Sequence, residues 1–495
     1  MTLEEILKGV AQTTDLPAET AGRQVAGLDY DSRRVEKDYL FFAFAGAHVD
    51  GRRFACQARD RGALAVVSED SRPDGYEGPW IQVPHGRRAM ALAARRFYGA
   101  PDERLGLTGI TGTNGKTTTA FLLDSILREA GHITALVGTI EYRMAGRVLP
   151  ARNTTPESLD LYRILHELEA MGGSHATMEV SSHALDLGRV HGIHFHTAVF
   201  TNLTQDHLDY HVTMERYFAA KLALFEGQDA PPPRFAVINA DDPYGSRISP
   251  APTSEALTYG IDSDARVRAS RIVAGFSGLK FHVDEGGNRY EIVSPMTGRI
   301  NVYNILAACA AARSYSIGVE DIQRGIAACR LVAGRFEPVE EGQPFMVVVD
   351  YAHTDDALRN VIRTARGLNP RRVITLFGCG GDRDRNKRPK MGEAAAELSD
   401  LVVLTSDNPR SEDPLDIMND ALVGLRRHDV QHIVEPDRAR AIHKALEAAE
   451  PGDIVILAGK GHETYQVLKD RTIPFDDRVV ARETLREMGY GGKRR

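Results

Sequence analysis

The segment that most constrains this chain of 495 residues runs from Leu107 to Thr119 and reads LTGITGTNGKTTT. Residues 105–111 are mainly apolar or β-branched, which predicts a short strand. The chain then breaks at Gly112-Thr113-Asn114-Gly115, and Lys116 begins an amphipathic run that ends at Gly131. A strand, a glycine loop and a helix in this order predict a loop that holds the phosphates of a nucleoside triphosphate.

Each part of this predicted loop has a chemical role. Backbone amides and the positive end of the following helix would face phosphate oxygens, Lys116 would reach the β- and γ-phosphates, and Thr117 could hold Mg²⁺. The usual motif has glycine five places before Gly115, where this chain has Ile110, so an ordinary glycine-rich turn is the alternative. The predicted nucleotide-binding residues of the loop are Gly112, Thr113, Asn114, Gly115, Lys116, Thr117 and Thr118.

Composition and charge limit the classes of protein to which the chain can belong. Hydrophobic residues make up 42% and charged residues 26% of the chain, which permits several buried cores. The net charge of −7 argues against a nucleic-acid partner, and anionic substrates would need a local basic cluster such as residues 383–390. The four cysteines form no close pairs, which argues against zinc or disulfide frameworks. No apolar run approaches ~18 residues and the first residues are acidic, so we expect a cytoplasmic protein without a membrane partner.

Apolar strands alternate with helix-length segments along the chain, and this pattern divides it into three blocks. The first block ends at a plausible linker, Pro101-Asp102-Glu103, and the second includes a predicted antiparallel hairpin at 286–288. We therefore predict an α/β protein with three domains, at 1–102, 103–335 and 336–495. The central domain would be a doubly wound ATPase-type sheet around the phosphate loop, and the last would be Rossmann-like.

Several polar residues of the central block are candidates for chemistry. Glu179 ends a buried strand, where it could hold Mg²⁺ or could be a capping or salt-bridged glutamate. His207 and His211 are four apart, but without an HExxH pattern they are more typical of a helix face than of a zinc site. Lys221 lies among apolar residues, which is typical of a lysine that extends to the surface.

Other candidates lie at a helix start and after strand ends. Asn301 and Asn304 are three apart at a predicted helix start, where they could contact a purine or cap the helix. In the last block, polar residues follow four strands, at 350–353, 380–388, 407–410 and 460–463, and parallel strands bring such ends to one ligand-binding edge. Each loop alone could be an ordinary solvated turn, as could residues 30–33 and 46–51 in the first block.

Taken together, these motifs resemble the Mur ligases, the family that adds amino acids to the cell-wall precursor UDP-N-acetylmuramic acid. The resemblance covers residues 25–485, and within the family it is to the members that add diaminopimelate. Its motifs are DSR at 31–33, TGTNGKTTT at 111–119, NTTP at 153–156, EVSSHAL at 179–185, NLTQDHLDYH at 202–211, AAK at 219–221, NVYN at 301–304, DYAHT at 350–354, GGDRDRNKRP at 380–389, DNPR at 407–410 and GKGHE at 459–463.

The resemblance implies a binding role for each set of residues. The UDP end of the precursor would be held by Ser32 and the loop at 47–49. Its muramoyl-dipeptide part would contact Asn153, Thr154, Thr155, Ser181 and Arg189. ATP would contact Asn301 and Asn304 at the adenine, and Arg335 and Asp350 at the domain junction. The diaminopimelate-binding residues would be Arg383, Asp407, Asn408, Pro409, Arg410, Gly459 and Glu463.

The metal and catalytic residues follow from the same resemblance. Thr117 and Glu179 would hold Mg²⁺, and His207 would bind a second metal ion. Lys221 resembles a lysine that reacts with carbon dioxide to give a carbamate (N6-carboxylysine), which turns a cation into an oxygen ligand for magnesium. The implied catalytic residues are therefore Lys116, Lys221 and His207, with ATP and Mg²⁺ as cofactors.

The implied reaction is ATP-driven amide formation between UDP-N-acetylmuramoyl-L-alanyl-D-glutamate and meso-diaminopimelate, and it would proceed through an acyl phosphate. We expect the enzyme to be a monomer. Arg410 would select diaminopimelate over lysine, unless it is a surface arginine in an Asn-Pro turn. Folylpolyglutamate synthetase shares the architecture but should lack the DSR domain and the DNPR loop. A regulatory or motor NTPase should carry an NKxD loop or a strand-end Asp-Glu pair, and neither occurs here. Asp355 replaces an expected proline, and both residues suit a helix start.

Overall fold

The computed structural model describes residues 1–13, 16, 18–46, 49–151, 153–227, 230–275 and 278–491. In these residues the strands form one large sheet in each of the three predicted blocks, and a further two-stranded sheet lies near the end of the chain. The predicted α/β class and three-domain architecture are confirmed, whereas the boundaries at 102/103 and 335/336 stay predictions. Within the described ranges, the helices are all too short or too polar to cross a membrane.

The first block is a four-stranded parallel sheet with buried, apolar strands, as both covered faces of a parallel sheet require. Its strands are β1 (Gly27–Asp29), β2 (Tyr39–Ala43), β3 (Ala65–Ser68) and β4 (Trp80–Gln82). Its helices are α1 (Leu3–Leu7), α2 (Ala18–Ala21), α3 (Ala55–Asp60) and α4 (Gly86–Phe97).

The central block is built on an eleven-stranded sheet that is parallel in the middle and antiparallel at both ends. Its strands are β5 (Gly106–Thr111), β6 (Thr134–Val137), β7 (Glu141–Met144), β8 (Arg147–Pro150), β9 (His175–Glu179), β10 (Thr197–Phe200), β11 (Phe235–Asn239), β12 (Glu255–Gly260), β13 (Val267–Gly275), β14 (Gly278–Glu285) and β15 (Asn288–Ser294). The predicted hairpin is confirmed, since β14 and β15 pair antiparallel across Gly286 and Gly287.

Helices cover both faces of the central sheet. They are α5 (Lys116–Glu129), α6 (Ser158–Ala170), α7 (Ser182–Asp186), α8 (Leu208–His211), α9 (Met214–Glu226), α10 (Arg299–Ser314) and α11 (Val319–Ala328). The small side chains of Ala307 to Ala312 let α10 approach α5 closely, and this core is fully buried. Because β5 and α5 are held between neighbours on every side, the loop that joins them has a rigid frame.

The last block is a six-stranded sheet in which five strands are parallel. Its strands are β16 (Glu337–Pro338), β17 (Met346–Asp350), β18 (Val373–Cys379), β19 (Leu401–Ser406), β20 (Gln431–Val434) and β21 (Ile454–Ala458), followed by the hairpin β22 (Tyr465–Val467) and β23 (Thr472–Pro474). Its helices are α12 (Asp355–Arg366), α13 (Lys387–Leu398), α14 (Pro414–Leu425), α15 (Arg438–Glu447) and α16 (Asp477–Glu487). Asp355 begins α12 behind a Thr354 cap, so the unusual residue does suit a helix start.

The predicted linker between the first two blocks, Pro101-Asp102-Glu103, forms a largely buried 3₁₀ turn. Asp102 is only 2% exposed. It accepts from Arg95 Nε at 3.0 Å and from the backbone N–H of His194 at 3.1 Å. Helix α4 packs on α6 beside this turn, and one hydrophobic core continues across it. A polar, proline-containing segment looks exposed from its composition, and only the folded chain supplies partners for its charge.

The last block contains a buried ion pair that should control its stability. Arg438 Nε and Nη2 donate to Asp477 at 2.8 and 2.6 Å, and both side chains have 0% exposure. We expect Asp477→Ala to lower the free energy of unfolding by about 3–5 kcal/mol, because an unpaired guanidinium would stay buried. Urea unfolding followed by circular dichroism measures this change. Tryptophan fluorescence would not report on the last block, because the single tryptophan, Trp80, lies in the first block. Glu450→Ala is the control, at an exposed ion pair with Arg371, and an equally large effect there would contradict the prediction.

Candidate active site

The glycine loop predicted to hold phosphates lies between the end of β5 and the first turn of α5. Gly112 has φ +147°, and a Cβ there would lie 1.9 Å from the Thr201 hydroxyl oxygen, so only glycine fits. Lys116 Nζ donates to the carbonyl oxygens of Gly112 and Thr113, both at 2.9 Å. The loop therefore encloses a cation at the N-terminus of a long helix, which is a favourable arrangement for an anionic ligand.

Glu179 lies beside this loop with 0% exposure. Its carboxylate accepts from Thr117 Oγ1 (2.9 Å) and from both the backbone N–H (2.8 Å) and Oγ1 (2.9 Å) of Thr139. Thr154 Oγ1 is in turn 3.1 Å from Thr139 Oγ1. The alternative of a capping or salt-bridged glutamate is wrong, because these partners are neutral groups around the loop. Thr139 was not singled out in the sequence, although it follows a predicted strand in ITALVGTI.

The oxygen donors around Glu179 fit magnesium rather than a metal held by protein alone. In the part of the chain that the structure describes, no group of three or more His, Cys, Asp and Glu side chains could hold a metal ion. Mg²⁺ is usually bound by one or two carboxylates together with substrate phosphates. The Thr117 hydroxyl and the Glu179 carboxylate supply oxygens of that kind.

Lys221 is buried, with 2% exposure, so the alternative of a lysine that extends to the surface is wrong. Its Nζ donates to Gly112 O at 2.8 Å and lies 4.5 Å from the centre of the Tyr217 ring. Lys116 Nζ contacts the same carbonyl oxygen. Burial, together with the nearby charge of Lys116, lowers the pKa of Lys221 well below its usual value. The residue pattern alone could not reveal this, because α9 carries apolar residues on every side of Lys221.

His207 precedes α8 with a left-handed backbone, φ +54°, rather than lying on a helix face as expected. Burial lowers its pKa to about 3, which keeps the imidazole neutral. The neighbouring Asp206 is buried and lies 3.6 Å from both Lys387 Nζ and His353 Nε2, two side chains of the last block. Burial opposes ionisation of Asp206, but His353 and Lys387 together hold its pKa well below the usual value. The contacts of Asp206 with His353 and Lys387 therefore join the central and last blocks.

The two asparagines of α10 form a small network at the edge of a cavity of about 250 Å³. Asn304 Nδ2 donates to Asn301 Oδ1 at 2.9 Å, and Asn301 Nδ2 donates to Thr297 O at 2.8 Å. The helix-cap alternative is wrong, because the residue at the N-cap is Gly298. The cavity extends to Lys116, so the asparagines and the phosphate loop line one continuous space.

The domain junction closes this cavity from the other side. Arg335 Nη2 donates to Thr117 Oγ1 at 3.2 Å, and its guanidinium lies 4.8 Å from the centre of the Tyr351 ring. Asp350 accepts from the backbone N–H groups of Phe336 (2.7 Å) and Ala352 (2.9 Å), which shapes the junction. Both predicted junction residues therefore line the cavity, whereas their contacts with a nucleotide stay predictions.

Most of the residues predicted to contact the muramoyl-dipeptide lie close to Glu179 in the structure. Thr155 Oγ1 donates to the Glu179 carbonyl (2.8 Å) and accepts from the Ser181 N–H (3.1 Å). The Asn153 carbonyl accepts from the Tyr142 hydroxyl at 2.6 Å. Thr154 and Ser181 line the same cavity as the phosphate loop, and Thr155 is bonded to Ser181 behind them.

Arg189 and Ser32 complete the predicted precursor site, and Arg189 Nη1 donates to Thr155 O at 3.0 Å. Arg189 Nε donates to Glu157, a buried carboxylate, at 3.1 Å. Ser32 lies in the first block, is buried, and donates to Gln57 Oε1 at 2.7 Å. Residues 47 and 48 of the predicted UDP loop lie outside the described residues. The roles of all these residues in binding stay predictions.

Three loops at the carboxyl edge of the last sheet carry the predicted diaminopimelate residues, and we call residues 380–383, 407–412 and 459–463 the acceptor loops. Lys460, with 0% exposure, donates to Asn408 Oδ1 (3.1 Å) and Glu463 Oε2 (3.0 Å), and it lies 3.9 Å from Asp407. Asn408 Nδ2 also donates to Glu463, at 2.9 Å. The sequence placed Lys460 in a polar loop after a strand and inside the GKGHE motif, but it gave this lysine no role of its own. Its charge organises the predicted binding residues.

The basic segment at 383–390 is only partly open, because two of its five cations are buried. Lys387 and Arg388 are buried and paired, with Asp206 and with Glu412 respectively. Arg383 is exposed and donates to the Asp382 carbonyl at 2.8 Å. The sequence shows the density of positive charge, whereas the partners come from distant parts of the chain.

A further contact crosses between the phosphate loop and the last block. Asn114 Nδ2 donates to Asp356 Oδ2 at 2.9 Å, next to the start of α12. Asp356 was not singled out in the sequence, because a second aspartate in the first turn of a helix is typical of dipole stabilisation alone. This bond and the contacts of Asp206 with His353 and Lys387 show that the described structure has the two blocks closed on one another.

Comparisons with known proteins agree with this geometry. Family models match at residues 24–98 (Mur ligase family, catalytic domain), 110–312 (Mur ligase middle domain) and 334–461 (Mur ligase, glutamate ligase domain). A protein from Solibacter usitatus, named UDP-N-acetylmuramoyl-L-alanyl-D-glutamate--2,6-diaminopimelate ligase, is 66% identical over 490 residues, which are 99% of each chain.

Two further relatives carry the same name. One, from Geobacillus thermodenitrificans, is 47% identical over 467 residues, which are 94% of this chain and 95% of the relative. The other is a solved structure with 32% identity and a TM-score of 0.69, and the match covers 99% of both chains. Because the family domains and these relatives together cover nearly the whole sequence, this chain belongs to the Mur ligase family.

Proposed function

We propose that this chain is an ATP-dependent ligase of peptidoglycan biosynthesis, which joins meso-2,6-diaminopimelate to UDP-N-acetylmuramoyl-L-alanyl-D-glutamate. The observation that carries the proposal is that the central and last blocks close on one cleft, where Arg335 and Asp356 contact the phosphate loop. Such a cleft suits a reaction that consumes ATP and a second substrate together. The name shared by the relatives supports this choice of substrates.

The proposed reaction has two steps. A carboxylate oxygen of the precursor's D-glutamate bonds to the γ-phosphorus of ATP as the bond to the bridging oxygen breaks, which gives an acyl phosphate and ADP. The amino group of diaminopimelate then bonds to the acyl carbon, phosphate leaves, and the nitrogen releases its proton. Lys116 and Arg335 lie where they would balance the charge of the transferred group. The closed cleft would keep water from the acyl phosphate.

Thr117 and Glu179 are the residues proposed to hold Mg²⁺, with His207 at a second metal position. When bound, the ion would neutralise phosphate charge. We propose that Lys221 is carbamylated, because burial lowers the pKa of its amine and so favours the uncharged form that reacts with carbon dioxide. The product carries oxygen ligands of the kind that magnesium prefers.

The alternatives have less support. A folylpolyglutamate synthetase would need neither the first block, with its own four-stranded sheet, nor the acceptor loops. Every proposed site residue comes from one chain, so a monomer suffices. The proposed substrates include ATP and a UDP-linked precursor, both cytoplasmic metabolites, so we propose the cytoplasm as the compartment.

We expect phosphate release from ATP to require both the UDP-muramoyl-dipeptide precursor and diaminopimelate, because the amine is needed to discharge the acyl phosphate. A coupled phosphate assay with each substrate left out in turn measures this, and mass spectrometry of the product identifies the new amide. Rapid hydrolysis that neither substrate affects would instead indicate a regulatory or motor NTPase.

A further inference from the structure

The acceptor loops at 380–383 and 407–412 are interlocked by backbone contacts. The N–H of Gly381 donates to Asn408 O at 2.9 Å, and a Cβ on Gly381 would lie 2.0 Å from Pro409 O. Ser411 donates to Asp382 through its N–H (3.2 Å) and its hydroxyl (2.6 Å). The position of one loop therefore fixes the position of the other.

This interlock orients the predicted recognition residue Arg410. Its Nη1 donates to Gly381 O at 2.7 Å, and its backbone has φ +52°, a conformation that few residues adopt without support. Arg410 itself is only partly buried, so one end of its guanidinium is held by the neighbouring loop. Residues that pack against the two loops must therefore hold Arg410 in this conformation.

The support is Arg388, which has 0% exposure and lies in the first turn of α13. Its Nη1 and Nη2 donate to the two carboxylate oxygens of Glu412 at 2.9 and 2.7 Å, in a two-pronged geometry. Glu412 also accepts from the Asp382 N–H, and Arg388 Nη1 donates to Asp420 of α14 at 3.0 Å. The hydrogen bond with Arg388 lowers the pKa of Glu412, so this carboxylate is charged at neutral pH.

Resting on the proposed function, we infer that Arg388 and Glu412 are positioning residues for the acceptor amino acid. Glu412 ties both loops to the Arg388 guanidinium, and α13 and α14 anchor that guanidinium from behind. Neither residue reaches the substrate in this scheme. They hold Arg410 and Arg383 in the geometry needed to recognise a carboxylate beside an ammonium group.

Glu412→Gln tests this inference, because it keeps the size of the side chain and removes its charge. Its side chain is 23% exposed on a loop, so the fold should survive. We expect the KM for diaminopimelate to rise about 10- to 100-fold, with the KM for ATP and for the precursor unchanged. The product ratio of diaminopimelate to lysine in a competition assay should fall. Arg388→Lys keeps the buried positive charge, but an ammonium cannot form two parallel hydrogen bonds with one carboxylate. It should show the same changes in KM and in product ratio.

Glu393→Gln is the matched control. Glu393 also lies on α13, but it pairs with Arg427, an exposed residue just after α14 that lies outside the acceptor loops. All its kinetic constants should equal those of the wild type. An unchanged KM for diaminopimelate in Glu412→Gln, or an equal change in all three KM values, would overturn the inference. A wild-type chain that does not incorporate diaminopimelate would overturn the proposed function, and the inference with it.

Discussion

Lys221→Ala is expected to lower kcat by at least ~10²- to 10³-fold, and acetate or formate should restore part of the activity. The reason lies in the proposed carbamate, whose oxygens a small carboxylate can replace in the cavity that alanine leaves. The uncharged amine needed for this modification is favoured by the burial of Lys221 and by the charge of Lys116, which contacts the same carbonyl oxygen. Initial rates with and without added carboxylate measure the effect.

Lys116→Ala provides the contrast. Its kcat should fall at least as far, because Lys116 is the proposed phosphate-binding cation, but acetate should not restore it. Circular dichroism should show native folds for both variants. Near-normal activity of Lys221→Ala, or equal rescue of both variants by acetate, would show that Lys221 acts only as a buried amine.

The wild type should discriminate against lysine by roughly 10⁴-fold, and Arg410→Ala should lose most of this selectivity. Diaminopimelate carries a carboxylate beside its second ammonium group, and lysine lacks it. With lysine bound, the Arg410 guanidinium would lose water without gaining a partner. Arg410→Lys should also lose selectivity, since an ammonium cannot form the two parallel bonds of an arginine fork.

The measurement supplies both amino acids at equal concentration and identifies the products by mass. Arg427→Ala is a matched control from the same block, because Arg427 is exposed and pairs with Glu393 outside the acceptor loops. Its selectivity should equal that of the wild type. Substantial lysine incorporation by the wild type, or unchanged selectivity in Arg410→Ala, would contradict the assignment of this loop to specificity.

Local sequence patterns were sufficient to predict where the strands and helices of the fold lie. The apolar run before Gly112 and the helical spacing after Lys116 place β5 and α5 to within a residue or two. The polar residues that follow parallel strands predict that the acceptor loops lie on one edge of the sheet, as they do. These inferences succeed because they depend on backbone propensity and on periodicity, which neighbouring residues in the sequence set.

The sequence alone determined the α/β class, the three blocks, the phosphate loop and, through ordered motifs, the family. Only the tertiary structure decided which charges are buried and with whom they pair. Lys221, Arg388 and Lys460 look like ordinary surface cations in the sequence, yet each is enclosed by groups brought from elsewhere in the fold. The physical reason is that burial and pairing depend on three-dimensional neighbours, whereas periodicity reports only which face of an element is apolar.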